Sequence, residues 1–173
     1  MKKSDTTKRQ QHRDDLTGEH ALTDIGQLVL AALFFGAWIA DAVVFRLTTF
    51  LQSYMPGAVC VPIAVCLFVL TGTMAWASHR TIFGKKREPP HVVHTGVFRL
   101  TRHPMYLSEI LLYLGFLLLG PSLIATGVWF LAIGFLHYVA RTEERLLLRR
   151  FGDEYAQYMR EVPMWLPRVP RRR

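Results

Sequence analysis

Cysteine is scarce. Only Cys60 and Cys66 occur in 173 residues, both inside one apolar stretch. Six positions apart on a helix they do not share a face, so they read as small core residues rather than a disulfide. No Cys/His spacing resembles a zinc site. His91-Val-Val-His94 lies in a proline-flanked loop and is not read as a metal pair. No nucleic-acid motif accompanies the basic residues, and no Rossmann glycine pattern occurs. The two halves show no repeat of the kind many transporters have. A secretory signal peptide is also excluded, because the first apolar run starts too late and is too long. Two short turns, around Met55-Pro56-Gly57 and Gly120-Pro121-Ser122, carry no charge at all.

The chain does contain long apolar blocks and an excess of positive charge. Apolar residues make up 51% of the chain, and 21 Lys and Arg face 13 Asp and Glu. The apolar blocks fall at residues 24–45, 57–78, 105–119 and 123–140. A run of about 20 apolar residues spans a hydrocarbon layer of roughly 30 Å. The reading is therefore an all-α integral membrane protein, with four transmembrane helices in two hairpins and amphipathic cytosolic helices after them. The N-terminal tail, the loop at residues 79–104 and the C-terminal region hold 20 of the 21 basic residues, and only Arg46 lies elsewhere. This asymmetry places both termini and the long loop in the cytosol. In a bacterium the membrane would be the inner one. Residues 1–23 read as a cytosolic tail, 24–167 as the membrane domain and 168–173 as a basic tail suited to anionic headgroups.

Several polar residues interrupt the apolar pattern. Asp41 lies about one turn from the far end of its segment, close to Arg46, and reads as a snorkelling or locally paired acid. Tyr106, Glu109 and Tyr113 share one face of the third segment. Glu109 should point into the bundle or be hydrated at its cytosolic end. His137, Arg141 and Glu144 share a face of the fourth segment if its helix continues beyond the membrane. Farther on, Leu148, Phe151, Tyr155, Tyr158, Met159 and Val162 form an apolar stripe, which Gly152 interrupts and Pro163 ends. Asp153 can cap a second short helix there. Such helices could lie on the membrane surface or close over a site. Arg102-His103-Pro104-Met105-Tyr106 stands where the basic loop meets the third segment. It suits either a lipid anchor or an anionic or zwitterionic cofactor.

Two motifs give this chain a family likeness. The first is Thr95-Gly-Val-Phe-Arg-Leu-Thr-Arg-His-Pro-Met-Tyr106. The second runs from Glu143-Glu-Arg through Phe151-Gly-Asp-Glu-Tyr155 to Pro163, followed by Trp165-Leu-Pro167. Together they resemble the isoprenylcysteine carboxyl methyltransferase family, and more loosely the related phospholipid methyltransferases. The resemblance implies an integral membrane enzyme that uses S-adenosylmethionine, with a cofactor region at about 85–167. It implies cofactor contacts at Arg102, His103, Pro104 and Tyr106, and at Phe98 where the family usually has Tyr. His91 and Val93 are implied in the strand-like part of the loop, with His91 one residue short of the family spacing to Gly96. Glu143 of the Glu-Glu pair is implied as a cofactor ligand, with Glu144 beside it. Arg141 is the nearest counterpart of an arginine that serves the substrate, two residues closer than the family spacing.

The residue chemistry is compatible with that expectation. Arg or His can hold the carboxylate of S-adenosylmethionine, Glu can accept from its hydroxyl or amino groups, and an aromatic face attracts its cation. A carboxylate acceptor needs no base, whereas a thiol or amine must lose a proton, for which His137 and Glu109 are candidates. The expected acceptor is lipophilic, and the expected partners are membrane lipids and not nucleic acid. Two other readings remain. Sterol-type reductases share an Arg-His-Pro-x-Tyr-like element and use NADPH, and a non-catalytic membrane scaffold could use the same fold.

Overall fold

The computed structural model describes residues 23–83 and 92–166, and every regular element among them is helical. α1 is Thr23–Phe45, with its last part, Ile39–Phe45, widened into a π-helix. α2 is Gly57–Phe83. α3 is Pro104–Leu119, with Pro104 in its first turn, where a missing N–H costs nothing. α4 is Leu123–Phe151 and α5 is Asp153–Glu161. His91, the tail to residue 22 and the stretch from 167 lie outside the described residues.

α1, α2 and α4 are long and apolar enough to cross a membrane. α3 has 16 residues and spans only about 24 Å at 1.5 Å per residue. It is the central helix. Gly115 of α3 comes so close to α2 that an added Cβ would lie 2.6 Å from the Phe68 ring. On its other side Tyr113 stacks on Phe34 of α1, with ring centres 4.2 Å apart. Trp129 of α4 donates from Nε1 to the Ile110 carbonyl at 3.0 Å. The long helices turn apolar side chains such as Leu28, Val44, Val69 and Phe130 outward. An apolar surface on that scale fits a lipid surround.

The helix of segment four continues beyond its apolar part, through the charged run to Phe151, and stops at Gly152; Arg, Glu and Leu are good helix formers and one face of the run packs on α5. Two expectations need correction. Asp153 does not cap α5 with its side chain. Gly152, at φ 53°, ends α4 and starts α5, a conformation glycine adopts without penalty. Finally, the side-chain partners of Asp41 are Thr48 and Ser122 rather than Arg46. Asp41 is 2% exposed and ties the end of α1 to the α3–α4 turn, where Ser122 also caps α4 by accepting from Ala125 N at 3.0 Å. Nearby, Trp38 donates from Nε1 to the carbonyls of Phe116 and Gly120. At the start of α4, Leu123 N donates to Thr48 Oγ1 at 3.0 Å, so α1 and the loop that follows it serve groups at both helix ends.

Candidate functional site

The loop before α3 is shaped by Gly96, whose φ of 62° opens a 3-10 turn at Gly96–Arg99. Beyond it, the chain is stitched to the C-terminal segment. Thr101 Oγ1 donates to the Met164 carbonyl at 2.7 Å, and Arg102 N donates to the Pro163 carbonyl at 3.0 Å. Arg102 Nη1 donates to the carbonyls of Met159 and Val162 at 2.8 and 2.9 Å. Tyr158 OH donates to the Phe98 carbonyl at 2.7 Å, and burial pushes that phenol up to about 12, so it remains a donor. Glu154 accepts from Val92 N at 3.1 Å. Under these bonds Val92, Tyr155, Tyr158 and Val162 form a small buried core.

Five side chains meet where this loop joins α3 and α4. Arg102 Nε donates to Glu144 Oε1 at 2.7 Å, and His103 Nε2 lies 3.3 Å from the same oxygen. His103 Nδ1 is 3.7 Å from Glu143 Oε2. Tyr106 donates to Glu143 Oε1 at 2.5 Å, and its ring stacks on His103 with centres 5.6 Å apart. The imidazole is thus held between two carboxylates that face different ways.

A cavity of about 570 Å³ opens beside this cluster. Val93, Phe98, Arg102, His103, Pro104, Tyr106 and Glu143, all singled out in the sequence, line it. Arg141 and Glu144 line a separate recess of about 200 Å³. Glu109 and His137 line neither. Glu109 accepts from Tyr113 OH at 2.6 Å, and His137 is exposed, accepting at Nδ1 from Trp165 Nε1 at 3.2 Å.

The cavity also has walls that motif reading missed. Phe151, Tyr155 and Tyr158 line it, as do Leu147 and Arg150. The helical stripe across Gly152 carried a signal for the aromatic residues, but not for what they face. Asp24 and Gln27 of α1 complete the wall. They are far from both motifs in sequence and carried no local signal. They reach the cavity because α1 lies close to α4 near Gly26, where an added Cβ would sit 2.4 Å from the Phe135 ring.

Chemically, the cavity offers two carboxylates that no Lys or Arg engages among the described residues, Asp24 and Glu143, the latter 3.7 Å from the His103 imidazole. Among the described residues it also offers one guanidinium outside any ion pair, Arg150, which lies over the Phe151 ring at 5.3 Å. Arg102 is already committed to Glu144 and to backbone carbonyls. Among the described residues no group of three His, Cys, Asp or Glu is placed to hold a metal ion.

Known proteins resemble this chain. The chain is 33% identical over 98 residues to protein-S-isoprenylcysteine O-methyltransferase of Schizosaccharomyces pombe, covering 56% of this chain and 42% of that protein. It is 37% identical over 89 residues to the cobalt-zinc-cadmium resistance protein CzcN of Cupriavidus metallidurans, covering 51% and 40%. It is 31% identical over 102 residues to methanethiol S-methyltransferase 1 of Bradyrhizobium diazoefficiens, covering 58% and 34%. The chain therefore spans less than half the length of these relatives. Residues 52–154 match the model of a family described as phospholipid methyltransferase, and they hold α2, α3, α4 and most of the cavity wall. On that match, over more than half of its length, the chain belongs to the phospholipid methyltransferase family.

Proposed function

We propose that this protein is an S-adenosylmethionine-dependent methyltransferase of the membrane, acting on a lipophilic acceptor at the cytosolic face. The observation that carries this reading is the charge inventory of the cavity. S-adenosylmethionine has two cationic centres, a carboxylate and a flat adenine. The cavity offers two carboxylates, one guanidinium and an aromatic wall. Its volume of about 570 Å³ is in the usual range for a small-molecule site, roughly 300–1,000 Å³. The residues fit the cofactor. Arg150 would hold its carboxylate, Glu143 and Asp24 its cationic centres, and Phe98, Phe151, Tyr155 and Tyr158 its base.

When bound, the cofactor supplies an electrophilic methyl group on sulfur. The protein's part is to orient donor and acceptor and to exclude water. Alignment alone contributes up to roughly 7–11 kcal/mol. His103 and Tyr106 fix the Glu143 carboxylate from two sides. For an acceptor that must lose a proton, Glu143 is better placed than Glu109 or His137, because it faces the cavity. Val92, Met105 and Leu147 make the rest of the lining apolar, which supports a lipophilic acceptor. The charge asymmetry supports a multi-pass topology with both termini cytosolic and α3 as a fourth span.

The test uses membranes containing wild type or Glu143→Gln, supplied with methyl-labelled S-adenosylmethionine. Label in an organic-soluble product made by wild type alone is the expected result. Turnover confined to a water-soluble product would reject a lipophilic acceptor, and absence of cofactor binding would reject the whole reading.

A further inference from the structure

Trp165 follows closely on the second sequence motif, yet neither it nor His137 lines the cavity. Trp165 stands at the end of a segment with no helix of its own. Three successive carbonyls of that segment accept hydrogen bonds from two successive residues of the loop before α3. Val162 accepts from Arg102 Nη1 at 2.9 Å, Pro163 from Arg102 N at 3.0 Å and Met164 from Thr101 Oγ1 at 2.7 Å. Thr101 is buried, so this grip is shielded from water. With the preceding backbone held in this way, Trp165 starts from a fixed point beside His103.

The indole bridges His103 and α4. Its ring centre lies 6.1 Å from that of His103 at a tilt of 44°, and 6.1 Å from that of His137 at a tilt of 31°. These are ordinary aromatic contact distances. Nε1 donates to His137 Nδ1 at 3.2 Å, which fixes the rotation of the indole. His137 precedes Glu144 by two turns of α4, about 10 Å along the helix. The indole is thus tied to a part of α4 outside the carboxylate cluster.

The indole helps to set the tilt of the His103 imidazole. Glu144 Oε1 lies 3.3 Å from Nε2 of that ring, and Glu143 Oε2 lies 3.7 Å from Nδ1. Contacts at the ring nitrogens alone leave χ2 loosely set, because a torsion of that type has a broad minimum. Ring packing narrows it. Tyr106 lies nearly parallel to the imidazole, at 7°, and Trp165 crosses it at 44°. A turn of the imidazole would carry its nitrogens away from both carboxylates, and Glu143 is the one that lines the cavity.

We propose that Trp165 is a positioning residue for the cavity, acting through His103 on Glu143, and that His137 orients Trp165 for that role. This rests on the cavity being an S-adenosylmethionine site. Neither Trp165 nor His137 needs to touch the cofactor for its loss to be felt there.

The experiment is a double-mutant cycle on S-adenosylmethionine affinity, measured by calorimetry on the whole solubilised protein, with thermal unfolding in parallel. Trp165→Ala should weaken binding roughly tenfold through loss of the ring contact and the hydrogen bond. Trp165→Phe keeps a ring against His103 without the N–H, and should lose only about threefold. In a His103→Ala background, Trp165→Ala should have no further effect, because the residue it acts through is gone. His137→Leu removes the same hydrogen bond from the other side and should match Trp165→Phe. His137→Asn places an amide oxygen where Nδ1 stood and should recover wild-type affinity. His137 is exposed, so this second pair of variants decides the matter if Trp165→Ala does not fold. Wild-type affinity in Trp165→Ala would overturn the proposal. Additive losses in the variant lacking both Trp165 and His103 would also overturn it, as would equal affinities in His137→Leu and His137→Asn. A wild-type protein that binds no S-adenosylmethionine would overturn the cofactor reading and this proposal with it, and the wild type alone reports that outcome.

Discussion

Arg102 and Glu144, 42 residues apart, form a buried ion pair at 2.7 Å that joins the loop before α3 to α4. The remaining donors engaged on Arg102 go to carbonyls at the end of α5. This arginine is thus a positioning residue that holds the aromatic wall over the cavity. Removing one partner leaves a buried charge, which costs about 3–5 kcal/mol. Arg102→Gln should lower thermal stability in detergent accordingly, and adding Glu144→Gln should restore part of it. A double variant less stable than Arg102→Gln alone would contradict the pairing.

For the cofactor, Asp24→Asn, Glu143→Gln, Arg150→Gln and His103→Ala should each weaken S-adenosylmethionine binding at least tenfold, about 1.4 kcal/mol. Calorimetry on solubilised protein measures this directly. Asp24 is the informative member, because α1 lies outside the region matched by the family model. Wild-type affinity in Asp24→Asn would remove α1 from the cofactor wall.

The contact between α2 and α3 depends on Gly115, where a Cβ would come within 2.6 Å of the Phe68 ring. Gly115→Val should destabilise the bundle by about 1–3 kcal/mol through overpacking. Phe68→Ala in the same chain should relieve the clash. A Gly115→Val protein as stable as wild type would mean that the helices can move apart freely.

Ser122→Ala removes the cap of α4 and one ligand of Asp41. The loss should be about 1 kcal/mol or somewhat more. Cofactor affinity should stay unchanged, because the turn lies at the opposite end of α4 from the cavity. Thermal unfolding with and without cofactor separates the two effects.

Topology can be read by labelling intact cells with an impermeant thiol reagent in a background lacking Cys60 and Cys66. Ser53→Cys and Leu123→Cys, both at exposed positions, should be labelled, and Thr95→Cys should be protected until the cells are opened. Ser122 is a poor probe site, being fully buried. Protection at Ser53 or Leu123 would reject cytosolic termini.

The helices were legible because the bilayer imposes a one-dimensional rule. A spanning helix must be apolar along its length, so a run such as residues 24–45 or 57–78 declares itself without reference to its neighbours. The first motif was legible for a related reason. Pro104 and Gly96 impose local backbone geometry, and His103 and Tyr106 follow within the same turn. Whether α4 runs unbroken from its apolar segment into the charged run was left open by the sequence, because Arg, Glu and Leu favour helix whether or not they lie in a membrane.

The sequence by itself determined the apolar helices, the charge asymmetry and one wall of the cavity. Those features depend on neighbours within a few turns of one helix. Only the tertiary structure decided that Glu143 faces the cavity while Glu144 faces the recess. The same holds for Arg102, which is consumed by Glu144 and α5, and for Asp24, which reaches the site from α1. Adjacent residues on a helix point about 100° apart, so which of two neighbouring glutamates meets a ligand depends on how the helix is rotated. That rotation is set by packing against chain that is distant in sequence, here Phe68 on Gly115 and Phe135 on Gly26.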